Sequence, residues 1–66
     1  MGYTMKGARV NAGLTQKEVA KALNVSNVTI SSWERGYNSP TLFQAVKLAE
    51  IYGITLNDFI LPEKQV

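Results

Sequence analysis

The stretch Gln16–Arg35, QKEVAKALNVSNVTISSWER, decides how the rest of the chain is read. Val19, Ala20 and Leu23 recur at i, i+1 and i+4, which is one apolar face of a helix. Ile30 and Trp33, three apart, supply such a face again after a break. The break is Leu23-Asn24-Val25-Ser26. Asn accepts the left-handed backbone that ends a helix, Val25 is an apolar plug, and Ser26 is a good N-cap for a second helix. Two helices joined by a tight turn are expected, the second starting near Asn27.

This helix-turn-helix pattern extends into its flanks. The string LTQKEVAKALNVSNVTISSWERG, Leu14 to Gly36, resembles the DNA-binding domain of Cro- and repressor-type, Xre-like regulators. It has the Leu-Thr-Gln opening, Ala20 where the helices cross, Val-Ser entering the second helix, Thr-Ile-Ser, and a Trp-Glu-Arg-Gly close. Pro40-Thr41-Leu42 and Leu48-Ala49 also fit, so the resemblance runs from about Lys6 to Ile60. Many members have Gly where this chain has Asn24. That position needs positive φ, which Asn tolerates.

Length and composition narrow the alternatives. Sixty-six residues allow one small domain, expected to span 1–66 with an ordered core at about 4–61 and a tail at 62–66. With neither Cys nor His, a disulfide framework, the usual zinc ligands and the usual general base are all absent. A net charge of +2 leans basic without pointing to nucleic acid by itself. No apolar run reaches signal-peptide or transmembrane length, so no membrane contact and a cytoplasmic location are expected.

Read in order, the chain gives a helix wherever a cap and an apolar stripe coincide. Met1–Tyr3 is expected to be loose, and Thr4 caps a first helix with Met5, Ala8 and Ala12 on one face, stopped by Gly13. Gly7 inside it costs roughly 1 kcal/mol relative to Ala. Thr15-Gln16-Lys17-Glu18 has capping-box form and opens the second helix. The third runs from about Asn27 to Arg35 and ends at Gly36. Ser39-Pro40 is expected to start a fourth, with Leu42, Ala45, Val46, Ala49 and Tyr52 as its stripe and Gly53 as its stop. Thr55-Leu56-Asn57-Asp58 predicts a short fifth helix carrying Leu56, Phe59 and Ile60, ended by Pro62. The expected fold is all-α: a compact five-helix bundle, of lambda-repressor-like type by the resemblance, with the helix-turn-helix at helices 2 and 3.

Catalysis finds no support. The carboxylates are Glu18, Glu34, Glu50, Asp58 and Glu63, and nothing brings two together across a cleft. No phosphate loop or nucleophile elbow occurs, and no catalytic residue, metal, cofactor or small-molecule ligand is expected. The third helix is more informative. Opposite Ile30 and Trp33 lie Asn27, Val28, Ser31, Ser32 and Arg35, short polar side chains with one exposed β-branched residue. Short side chains let a helix approach base edges, and Val28 would find a partner in a thymine methyl. Val28 packing on a neighbour and Arg35 as a plain solvated charge are the plainer alternatives, and the pattern favours them less.

What the resemblance implies is more specific. Base contacts fall on Asn27, Val28 and Ser32, with Ser31 beside them. Phosphate contacts fall on Gln16, Ser26, Arg35, Tyr37 and Asn38. Arg9 and Glu34 occupy positions that the family often fills with a structural ion pair, though two unrelated surface charges would look the same in sequence. The implied partner is a double-stranded operator. A domain this small covers few base pairs, so a homodimer that associates weakly in solution is expected on it, with Phe59-Ile60-Leu61 as its contact, although Phe59 and Ile60 serve equally well as core. The implied role is a transcriptional repressor, of the kind phages and prophages carry. A protein-interaction module without DNA contact is the alternative, favoured by Phe43 and the apolar Phe59-Ile60-Leu61.

Overall fold

The structure is a computed structural model and describes residues 2–59. Four α-helices follow one another: α1 Met5–Asn11, α2 Gln16–Leu23, α3 Asn27–Arg35 and α4 Leu42–Tyr52. A single 3-10 turn, Leu56–Asp58, comes after them. Each α-helix begins with a hydroxyl cap. The side chains of Thr4, Thr15, Ser26 and Thr41 accept from the N–H groups of Gly7, Glu18, Thr29 and Gln44. Left-handed residues end the middle ones: Asn24 at φ 58° after α2 and Gly36 at φ 80° after α3. The Asn24 end of α2 and the Ser26 cap of α3 form the turn that sets the two helices at an angle.

The core gathers one face from each helix. Met5 and Ala8 come from α1, Val19 and Ala20 from α2, Ile30 and Trp33 from α3, and Leu48 and Tyr52 from α4. Leu14, Leu23, Val25, Ile51, Ile54 and Phe59 pack around them, half-buried. Val25, inside the turn, is thus the apolar plug its position implied. Among the described residues no buried side-chain polar atom lacks a hydrogen-bond partner.

Several expectations need correction. Tyr3 is not loose: its N–H donates to the Asp58 carbonyl at 2.6 Å, and it bridges to Phe59 in parallel register. Ala12 is exposed because α1 stops before it. α4 starts two residues later than Ser39-Pro40 suggested, since Thr41 and Gln44 cap each other reciprocally. Its buried face is Leu48, Ala49 and Tyr52; Leu42 is 71% and Val46 43% exposed. The fifth helix is only the 3-10 turn among the described residues, held by Asp58, whose carboxylate accepts from the Thr55 N–H and hydroxyl. Those bonds hold the Asp58 carboxyl below its ordinary range. Ile60, Leu61, Pro62 and the tail lie outside the described residues. Gly7 also gains a reason. A Cβ there would meet Thr4 Oγ1, the cap of α1, at 3.0 Å. Among the described residues no helix is long and apolar enough to cross a membrane.

Candidate nucleic-acid interface

One charged network holds α3 against α1 and α2. Arg9 Nε donates to Glu34 Oε2 at 2.7 Å and Nη2 donates to Oε1 at 3.2 Å, a two-pronged pair. The remaining arm, Nη1, donates to the Leu14 carbonyl at 2.9 Å and so fastens the α1–α2 loop. Gln16 Nε2 donates to Glu34 Oε1 at 3.0 Å from the first residue of α2. One carboxylate near the end of α3 therefore holds α1 and α2, while its partner Arg9 holds the loop between them. The two charged side chains are 11% and 5% exposed, so Glu34 depends on these donors rather than on water. The hydrogen bonds to Glu34 raise the pKa of Arg9 further. Behind the pair, burial foremost and then the charge of Glu34 push the Tyr52 phenol up to about 12, so it stays neutral.

With Ile30 and Trp33 buried and Glu34 occupied, the outward arc of α3 follows from 3.6 residues per turn. Val28 and Arg35 fall at its middle. Asn27 and Ser31 lie on the side toward α1, and Ser32 lies toward the loop after α3. Asn27 and Arg35 are exposed, and Val28 is 75% exposed, so it does not pack on a neighbour. Ser31 and Ser32 are half-buried. Ser32 Oγ accepts from Asn38 Nδ2 at 2.7 Å, which fixes the loop against the helix. Tyr37 stands 75% exposed beside it. Ser26 Oγ accepts from the Thr29 N–H at 3.1 Å and lies 2.9 Å from the Thr29 hydroxyl, so its oxygen is engaged in capping.

Asn27, Val28, Ser31 and Arg35 thus share one surface with Gln16 at its edge, and Ser32, Tyr37 and Asn38 flank it on the far side. One residue escaped the sequence reading. Lys6 lines a polar cleft of about 350 Å³ together with Gln16, Ser31, Glu34 and Arg35. Its position was in principle legible, since it precedes Arg9 by three residues on the same helical stripe. A different surface lies on α4. Leu42 and Phe43 are 71% and 82% exposed, and Pro40, Leu42, Ala45, Leu56 and Phe59 enclose an apolar hollow of about 210 Å³. No group of residues fit to hold a metal ion occurs among the described residues.

Comparison with known proteins shows the family. The helix-turn-helix family model matches residues 5–59, nearly all of the described chain. The chain is 38% identical, over its whole length, to the HTH-type transcriptional regulator ImmR of Bacillus subtilis, and covers 51% of that protein. Over 63 residues it is 37% identical to an uncharacterised HTH-type transcriptional regulator of Methanocaldococcus jannaschii, covering 96% of each chain. It is 34% identical over 56 residues to the cryptic phage CTXphi transcriptional repressor RstR of Vibrio cholerae, 85% of this chain and 50% of that one. The chain therefore spans about half the length of the Bacillus and Vibrio proteins. No solved structure matches it significantly.

Proposed function

The chain belongs to the helix-turn-helix family of Cro- and Xre-type transcriptional regulators, and on that premise we propose that it binds a double-stranded operator and represses transcription by occupying it. The bundle is of lambda-repressor-like type, and α3 enters the major groove. Asn27, Val28, Ser31 and Ser32 read base edges; Gln16, Ser26, Arg35, Tyr37 and Asn38 hold phosphates at the groove's rims. Val28 carries the assignment. A β-branched apolar side chain 75% in water, on a helix whose other face is locked in the core, contributes nothing to folding and fits a thymine methyl.

Two copies related by a two-fold axis would read half-sites about one helical turn apart, roughly 34 Å. Phe59 is half-buried, its ring edge-on to Tyr52 with centroids 6.2 Å apart, and it is less available for pairing than its sequence suggested. Ile60 and Leu61, the rest of that contact, lie outside the described residues. The exposed Leu42 and Phe43 of α4 are the feature that would serve the rival reading, a protein-interaction module. A repressor of this kind works in the cytoplasm, on its operator. Selection of bound sites from random duplex DNA tests the whole proposal. The expected result is an enriched, inverted-repeat sequence; no enrichment over input would leave the protein-interaction module standing instead.

A further inference from the structure

The cleft between α1, α2 and α3 is lined by Lys6, Gln16, Ser31, Glu34 and Arg35, and its charges do not balance. Glu34 is already matched by Arg9, at 2.7 Å and 3.2 Å, and by the Gln16 amide at 3.0 Å. Its carboxylate is therefore not available to neutralise Lys6 or Arg35. Those two cations are exposed, and among the described residues neither is paired with a carboxylate. They stand on different helices, α1 and α3, at one opening. Ser31, on the outward arc of α3, forms part of the same wall. A cleft with two unmatched cations, beside the helix face that meets the bases, has the chemistry of a site for one tetrahedral oxyanion.

We propose that Lys6 and Arg35 clamp a single backbone phosphate of the bound duplex over this cleft, which makes Lys6 a DNA-positioning residue of α1. The site rests on the proposed operator binding, because the phosphodiester belongs to the duplex that α3 reads. The Gln16 amide group, held by Glu34, lines the same cleft. The clamp fixes the register of α3 in the groove and carries no sequence information of its own. Each phosphate neutralised in this way adds about 0.9 to the slope of log affinity against log salt.

The test measures duplex affinity by anisotropy from about 50 to 200 mM KCl, using the site enriched by selection and a random duplex. For Lys6→Gln both affinities should fall about three- to tenfold at the low-salt end, with the slope reduced by less than one ion, because Arg35 still holds the same phosphate, and the ratio between the two duplexes unchanged. Lys47→Gln is the control, because Lys47 lines a hollow between α2 and α4 that contains no residue of α3. An equal loss of slope in Lys6→Gln and Lys47→Gln would make the effect one of net charge and overturn the clamp. So would an unchanged slope in Lys6→Gln while Arg35→Gln lowers it; in that case the proposed function survives without the clamp. Wild-type protein with no salt-dependent duplex binding would remove both. Inorganic phosphate at matched ionic strength should compete for the same two cations, displacing more duplex than chloride does from wild type and losing that advantage on Lys6→Gln. Equal displacement by phosphate from wild type and from Lys6→Gln would mean that Lys6 holds no phosphate of the duplex, and the clamp is overturned.

Discussion

Ile30 and Val28 sit two residues apart on α3 and are close to the same chemistry, yet one is 1% exposed and the other 75%. The two faces of this nine-residue helix are held to different standards. On the inner face, Ile30 and Trp33 replace water with the side chains of the other three helices, and their apolar surface stabilises the fold. On the outer face, Val28 stays largely in water on folding, so folding alone does not explain it. The difference teaches where to look for function: a residue the fold does not need is one a ligand can use. Glu34 marks the seam between the faces, since its carboxylate is turned inward to Arg9 and Gln16.

The contrast breaks most visibly from the inside. Trp33→Ala should cost about 3–5 kcal/mol, the range for emptying a large buried aromatic site. A domain of 66 residues holds only about 3–10 kcal/mol in total, so far-ultraviolet circular dichroism should show this variant largely unfolded without urea. A stable, fully helical Trp33→Ala would mean that the inner face is not what supports α3. At the seam, Glu34→Ala leaves Arg9 with no carboxylate in a site that water scarcely reaches. The expected loss is about 2–3 kcal/mol, less than for a fully buried pair because both side chains retain some exposure. A double-mutant cycle with Arg9→Ala in urea should return a coupling above about 1 kcal/mol. Coupling near zero would reduce the pair to two neighbouring charges.

Val28→Ala sharpens the contrast from the outside. Its unfolding free energy should stay within about 0.5 kcal/mol of the wild type, as for surface changes generally. Affinity for the selected site should nevertheless fall by about 1–3 kcal/mol, concentrated at one base pair, with random-duplex binding nearly unchanged. Replacing the contacted thymine by uracil, which lacks the methyl group, should weaken wild type and leave Val28→Ala where it was. Equal losses on selected and random duplex would move the groove-facing arc elsewhere on α3.

The parts of this molecule that local rules govern are readable from residue order alone. Thr4, Thr15 and Ser26 cap helices because their hydroxyls sit one residue ahead of an apolar stripe, and α3 has the bounds expected of it. α4 is harder for a physical reason. Gln44, Lys47 and Glu50 mark only a narrow polar stripe, with Phe43 and Ile51 among them, so the apolar arc is wide and periodicity does not tell Leu48, which is buried, from Leu42 and Val46, which are not. Ser39-Pro40 and Thr41 each satisfy a helix-start rule, and the reciprocal bonds with Gln44 decide for Thr41. The anchoring of Tyr3 depends on Asp58, more than fifty residues away, which no local pattern reports. For the candidate site, the resemblance named the Arg9 and Glu34 positions. It did not show that Gln16 spends an N–H on Glu34, or that Lys6 looks onto the same cleft, because both depend on how three helices meet.

The turn between α2 and α3 offers the smallest effect and the finest separation of the two faces. Asn24 has φ 58° and ψ 44°, and its N–H lies against the Ala20 and Lys21 carbonyls that close α2. An ordinary L side chain loses about 1–2 kcal/mol there, and Asn loses less because its short polar side chain suits that region. Asn24→Ala should therefore destabilise the fold by about 1 kcal/mol. Asn24→Gly should change it by only a few tenths, as relief of the left-handed backbone is offset by a freer unfolded chain. Neither change touches the outer face, so below the melting transition both variants should keep the wild-type ratio of selected-site to random-duplex affinity. Thermal melts give the first quantity and anisotropy titrations give the second. If Asn24→Gly kept its stability but lost discrimination between the two duplexes, the turn itself would be reading DNA. The division of α3 into a folding face and a recognition face would then have to extend through residue 24.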